Sequence, residues 1–176
     1  MKLSLVTSLT LCLLTLIACS DPNTQDEKGR TPLIDAAERG DVEKTLDLLD
    51  DGADLSLKDN CQWSPLIMAA SKGNVEVVQE LLNAGADAND MDGAKYTAVM
   101  IAANNNHSGV IEVLYKAGAD INKSDEELLW NPLILAAKDG HLKSVKVLVK
   151  LQPDLNRQDR KGYSSLMWAV KNQHTE

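Results

Sequence analysis

Apolar positions along this chain fall into two alternating patterns. One is short and dense, as in PLIDAA from Pro32, PLIMAA from Pro65, AVMIAA from Ala98 and PLILAA from Pro132. The other is striped, as in VEVVQELLNAG from Val75. There Val77, Val78, Leu81 and Leu82 recur at i, i+1, i+4 and i+5, which puts them on one face of a helix. The dense pattern also predicts a helix. Thr-Pro opens it well, because Pro in the first turn loses no hydrogen bond and fixes φ. Its paired alanines keep it thin, so neighbouring elements can come close. Gly85 ends the striped helix, since Gly takes the left-handed cap at little cost.

The two patterns recur together. RTPLIDAAERGD from Arg30, WSPLIMAASKGN from Trp63, YTAVMIAANNNH from Tyr96 and WNPLILAAKDGH from Trp130 align, with steps of 33, 33 and 34 residues, and YSSLMWAVKNQH from Tyr163 follows another 33 on. DGADLSLKD, AGADANDMD, AGADINKSD and a worn QPDLNRQD keep the same period. The residue closing each, Asp59, Asp92, Asp125 or Asp159, opens the next unit. A single unit of this kind cannot bury its apolar face alone, so stacked neighbours must supply the core.

The pattern resembles the ankyrin repeat, whose units run D-x-x-G-x-T-P-L-H-x-A-A-x-x-G-H, then a second helix, then G-A-D. The resemblance covers essentially everything from Asp26 onward. It implies an all-α ankyrin-repeat solenoid of helix-turn-helix units joined by short hairpin fingers. There are about four full repeats plus a half repeat, at 26–58, 59–91, 92–124, 125–158 and 159–176. Three departures carry expectations. Gln152-Pro153 replaces Gly-Ala after the fourth unit, which puts a Cβ where Gly would suit. Asp35 stands where other copies have Met68, Ile101, Leu135 and Trp168, as an outer solvent cap requires. The partial fifth unit is expected to leave apolar surface of the fourth partly open.

Residues 1–18 do not fit the period. One Lys precedes an apolar run too short for a membrane span, which reads as a secretory signal. Leu16-Ile17-Ala18-Cys19 resembles a bacterial lipobox. That resemblance implies cleavage before Cys19, a diacylglycerol on its thiol and an acyl chain on its new amine, enough for stable anchoring. Residues 19–25 are then a lipidated Cys and a short polar tether reaching about 20 Å. Ser20, where Asp would imply inner-membrane retention, implies the outer membrane. The expected location is the bacterial cell envelope, facing the periplasm.

Composition adds exclusions. The chain has 176 residues and a formal charge of −8, so phosphate backbones are repelled and nucleic acid is not an expected partner. The charges look scattered, which reads as a solvated surface. Cys12, Cys19 and Cys61 form no CxxC pair and suit neither a zinc site nor a disulfide framework. No GxSxG, HExxH or Gly-rich phosphate loop is present. The expectation is a non-enzyme with no cofactor, no metal and no small-molecule substrate. By the resemblance, His107 and His141 cap turns, whereas His174 falls in a frayed tail. Cys61 on a finger needs no redox role.

Six aromatics are present, and four of them, Trp63, Tyr96, Trp130 and Tyr163, share the slot before the Thr-Pro position; Arg30 holds it in the first unit. The resemblance places this slot on the fingers lining the concave face, which binds partner proteins in that family. Trp, Tyr and Arg are also favoured at interface hot spots. The alternative is a ladder of rings stacked on each other to stiffen the fingers, each pair worth about 0.5–1.5 kcal/mol. The fourth finger, DEELLWNPL, is one residue longer and adds Leu128 and Leu129 beside Trp130. These either extend the contact surface or pack onto a neighbouring finger. The expected partner-binding residues are thus Trp63, Tyr96, Leu128, Leu129, Trp130 and Tyr163, with Glu38-Arg39, Ser71-Lys72, Asn104-Asn105 and Lys138-Asp139 as a polar rim. The expected function is a membrane-anchored module that docks a protein, as an immunity or inhibitor protein for a toxin or envelope enzyme, or alternatively as a scaffold for an envelope or oxidative-stress enzyme.

Overall fold

The structure, a computed structural model, describes residues 21–174. The expected leader at 1–18 and the expected lipidation site at Cys19 lie outside the described residues. Among those described there are nine helices. The dense pattern forms α1 (Pro32–Arg39), α3 (Pro65–Lys72), α5 (Ala98–Asn104), α7 (Pro132–Lys138) and α9 (Ser165–Lys171). The striped pattern forms α2 (Val42–Asp50), α4 (Val75–Asn83), α6 (Ser108–Lys116) and α8 (Leu142–Lys150). Extended pairing among the described residues is limited to the isolated bridges Met91–Thr97 and Gln158–Ser164. This is an all-α solenoid.

Each dense helix is capped by the side chain of the residue just before it, a contact the sequence reading did not name. The side-chain oxygens of Thr31, Ser64, Thr97, Asn131 and Ser164 accept the amide three residues on, at 2.8–3.4 Å. Pro occupies the first turn of α1, α3 and α7. The cap at Asn131 leaves its buried Nδ2 without a partner.

The dense helices pack on one another in one layer, α1 on α3, α3 on α5 and so on to α9. The striped helices form the second layer, each against its own unit's first helix and the next unit's second. The paired alanines have the role expected of them: Ala36, Ala37, Ala69, Ala70, Ala102, Ala103 and Ala136 are wholly buried between the layers. The stripe Val77, Val78 and Leu81 faces the same core, with Leu82 at its edge.

Polar side chains tie each unit to the one before. After α1 the turn holds Asp41, which caps α2 by accepting from Lys44 N at 3.0 Å. Asn74, His107, His141 and His174 stand at the same place in the turns after α3, α5, α7 and α9. They do not cap the helix that follows, for Asn74, His107 and His141 make no such bond. They reach back to the terminal carbonyls of the preceding unit's dense helix. Asn74 Nδ2 donates to Ala37 O at 2.8 Å. The Nε2 atoms of His107, His141 and His174 lie 3.0, 2.7 and 3.1 Å from the carbonyls of Ser71, Asn104 and Lys138. A carbonyl only accepts, so Nε2 carries the proton in all three. His174 is therefore held like its counterparts and is not frayed as the sequence reading had it. Gly73 shows what this closeness demands: its φ is 78°, and a Cβ there would come 2.5 Å from the His107 ring.

Two expectations about the ends meet definite geometry. Asp35 is half-buried, and its carboxylate accepts from Arg30 Nε at 2.7 Å, so the polar substitution is paired as well as solvated. Open apolar surface is present, but mostly on α9. Leu166 is 71% exposed there, whereas Leu133 at the same position of α7 is 3% exposed.

Residues 21–25, read above as tether, sit on the first unit. Asn23 Oδ1 accepts from Asp54 N at 2.7 Å, and Gln25 Nε2 donates to Lys58 O at 3.0 Å. Asn89 and Asn122 make the same bond to Asp120 and Asp154 at 2.8 Å each. The repeat geometry thus begins before Asp26.

Candidate partner-binding face

The fingers are built by one carboxylate per unit. Asp26, Asp59 and Asp92 each accept, through Oδ1, the amides two and four residues on at 2.8–2.9 Å. Asp159 does so for Lys161 and Tyr163. In the longer fourth finger Asp125 takes three amides, those of Glu127, Leu128 and Trp130. The amide of each Asp also donates to the carbonyl of the slot residue, Arg30, Trp63, Tyr96, Trp130 or Tyr163, at 2.9–3.1 Å. Every slot residue is thus held at both its N–H and its C=O. This is why an Asp opens each unit, a reason the sequence reading did not supply.

Closing the finger requires a left-handed residue just before the slot. Gly29 and Gly162 provide it freely, while Gln62, Lys95 and Leu129 adopt φ of 63°, 66° and 60°. Each of these three costs roughly 1 kcal/mol or more through its Cβ. The cost is spent where the aromatic column is aimed.

The column is half-buried along its length: Trp63, Tyr96, Trp130 and Tyr163 are each partly exposed. Trp63 and Tyr96 rest on the core. Burial pushes the Tyr96 phenol up, and the carboxylates of Asp125, Asp92 and Glu127 add to that. Its hydroxyl stays a neutral donor. Ring-on-ring contact among the described residues does not run from slot to slot. It runs through Trp168, which lies edge-on to Trp130 at 6.2 Å and tilted against Tyr163 at 5.2 Å.

Trp168 belongs to this face although the sequence reading left it out. It occupies the position five beyond the slot, next to the slot residue of its own unit. Arg30 and Asp35 form the same pair in the first unit as an ion pair. That shared spacing was the signal available in the sequence.

Leu128 and Leu129 are half-buried. The carbonyl of Leu128 accepts the amide of Arg160 at 3.0 Å, so the fourth finger is tied to the fifth. Leu128 and Trp130 line a dent of about 70 Å³ with Asp159, Arg160 and Lys161. Cys61 is an exposed free thiol at the tip of the second finger.

The rim reads as polar, with an acid-base chain at its start. Arg30 pairs with Glu38 at 2.5 Å, and Lys72 reaches the other oxygen of Glu38 at 2.9 Å. The Lys72 ammonium and the Arg30 guanidinium together pull the Glu38 carboxyl down to about 2. Farther along, Lys138 lies over the Trp130 ring at 5.4 Å and pairs with Asp139.

This arrangement offers contact area and charge. Among the described residues no group of three or more His, Cys, Asp or Glu is placed to hold a metal ion. No described helix is long and apolar enough to cross a membrane. A family model described as ankyrin repeats (3 copies) matches over residues 5–92, 36–125 and 100–176. A comparison with curated proteins gives no match.

Proposed function

The chain belongs to the ankyrin repeat family, a family of protein-protein interaction modules, and on that premise we propose that it is a lipid-anchored envelope protein that docks a partner on the face formed by its fingers and dense helices. The supporting observation is the aromatic column. An Asp turn fixes each slot residue at both backbone groups, three strained residues help to aim the rings, and every aromatic of the column is partly exposed. Rigid aromatics with a free edge are what interface hot spots use. The Cys19 anchor and the periplasmic orientation rest on the lipobox resemblance. With Asn23 and Gln25 bound to the first unit, only Ser20 separates Cys19 from the described residues, so the solenoid would work against the membrane surface. The action is binding without catalysis, in the manner of an immunity or inhibitor protein that occupies its target.

The test is crosslinking in intact cells followed by purification and mass spectrometry. The native chain is compared with Trp63→Ala/Tyr96→Ala/Leu128→Ala, which spares the Trp130 contacts, after circular dichroism shows that the variant folds. One partner enriched with the native chain and lost with the variant supports the reading. A partner that persists with the variant assigns Trp63 and Tyr96 to the fold alone and overturns docking along the whole column. A toxin-like partner fits the inhibitor role, and a protective enzyme such as a catalase makes the module a scaffold. In parallel, Cys19→Ser should move the protein out of the membrane fraction. If it stays there, the anchor is not at Cys19.

A further inference from the structure

Charge is segregated along the stack. Residues 21–137 hold nine Lys and Arg against twenty-two Asp and Glu, while residues 138–174 hold eight against three. In a solenoid, intervals of sequence are slices of space, so an acidic first three-quarters leads into a basic end. The basic groups there are open. Among the described residues only Lys138 of the eight has a carboxylate partner.

Four of these cations gather on the aromatic surface. Lys171 Nζ lies 4.6 Å from the Tyr163 ring centre and 4.5 Å from that of Trp168. Lys138 covers Trp130. Arg160 and Lys161 border the dent beside Trp130 and Leu128. The Arg160 guanidinium donates to two neutral carbonyls, Glu127 O at 2.5 Å and Glu126 O at 2.8 Å, and keeps its charge uncompensated there. The opposing charges nearby are exposed Glu126 and Glu127 on the fourth finger, Asp139 on Lys138, and buried Asp159.

We propose that the part of this face built by Trp130, Tyr163, Arg160, Lys161 and Lys171, supported from beneath by the buried Trp168, takes an acidic segment of the partner protein. The proposal rests on the docking reading above and names the chemistry of what docks. Carboxylates of an extended segment would meet Lys171, Lys161 and Arg160, while its apolar side chains meet the rings and Leu128. The acidic units supply the other half of the specificity. Their like charge repels the same segment, so it is steered to one end of the stack.

The experiment uses the full chain in neutral detergent and fluorescence anisotropy. The probes are a fluorescein-labelled peptide of repeated Glu-Glu-Leu and its Gln-Gln-Leu counterpart. The Glu peptide should bind at least about tenfold more tightly than the Gln peptide at low salt, and the margin should shrink as salt screens the charges. Arg160→Glu/Lys161→Glu/Lys171→Glu should remove that margin. Lys143→Glu/Lys146→Glu/Lys150→Glu makes the same change in net charge on α8, in the other layer, and should alter binding by less than about threefold. Lys161→Gln/Lys171→Gln, a milder change, should fall between native and reversed. Circular dichroism confirms folding of each variant.

Equal losses from the two reversal sets would reduce the effect to net charge and overturn the proposal. Vesicles containing phosphatidylglycerol, or a single-stranded oligonucleotide, that displace the Glu peptide at lower concentration would overturn it in favour of a membrane or nucleic-acid surface. If the Glu peptide fails to bind while a crosslinked partner is still lost with the aromatic variant, the acidic chemistry is wrong and the docking reading stands. If the Glu peptide binds as expected but no partner is crosslinked, the docking reading fails and the anionic preference stands.

Discussion

The indole N–H of Trp168 donates to Asp159 Oδ2 at 2.8 Å, and the same oxygen takes the indole N–H of Trp130, from the preceding unit, at 3.2 Å. One carboxylate thus closes the fifth finger through Oδ1 and joins two units through Oδ2. Burial of this carboxyl would raise it, but the Tyr163 amide, the two indoles and the Lys161 amide outweigh that and hold it below the ordinary carboxylate range.

Asp159→Ala removes four hydrogen bonds and leaves two indole donors without their acceptor. Unfolding in denaturant should become easier by about 2–4 kcal/mol, since bonds to a charged group are worth more than neutral ones. The indole N–H resonances of Trp130 and Trp168 should move while that of Trp63 stays. Unchanged stability, or an equal shift at Trp63, would show that the carboxylate does not link these units.

Glu38 makes the fold sensitive to acid. Its folded value is about 2, below the ordinary 4.5, through Lys72 first and Arg30 second. A depressed carboxylate stabilises the fold fully above its unfolded value and loses that effect as pH falls towards the folded one. The window therefore runs from about pH 4.5 down to about 2. The side chain is 34% exposed, so water screens the pair and the effect is modest. Thermal melts of Glu38→Gln should lie below those of the native chain at pH 6, and the gap should narrow as pH falls below about 4.5 and close at about 2. A constant gap across that range would count against the ion pairs.

Gln152 sits at φ 57° where Gly52, Gly85 and Gly118 end the earlier striped helices. Gln152→Gly should raise the unfolding free energy by about 1 kcal/mol, while Gln152→Ala should not. Equilibrium denaturation of the two variants decides it, and equal stability of both would exclude backbone strain at this position.

That strained cap was legible before any geometry, because a residue inside a repeat can be compared with its own copies. The same comparison gave the helices, the Pro that opens several of them and the paired alanines. It gave less where a side chain leaves its unit. His107, His141 and His174 looked like caps or tail, yet each serves the preceding unit, thirty-six or thirty-seven residues back. Asp159 meets Trp130 across twenty-nine residues, which no local pattern reports. Asn23 fell before the first recognisable copy, so its bond to Asp54 was taken for a loose tether. The charge reading failed differently. No single-sign block exists, and the excess appears only when residues are grouped by their slice of the stack.

The layers described above couple each unit chiefly to its neighbours. Such a stack bends and twists like a thin spring, because distant fingers share no direct bracing. A partner lying across several fingers would act as a splint. It would fix the spacing of slices that the chain itself leaves independent, and the module would be stiffer when occupied than when empty.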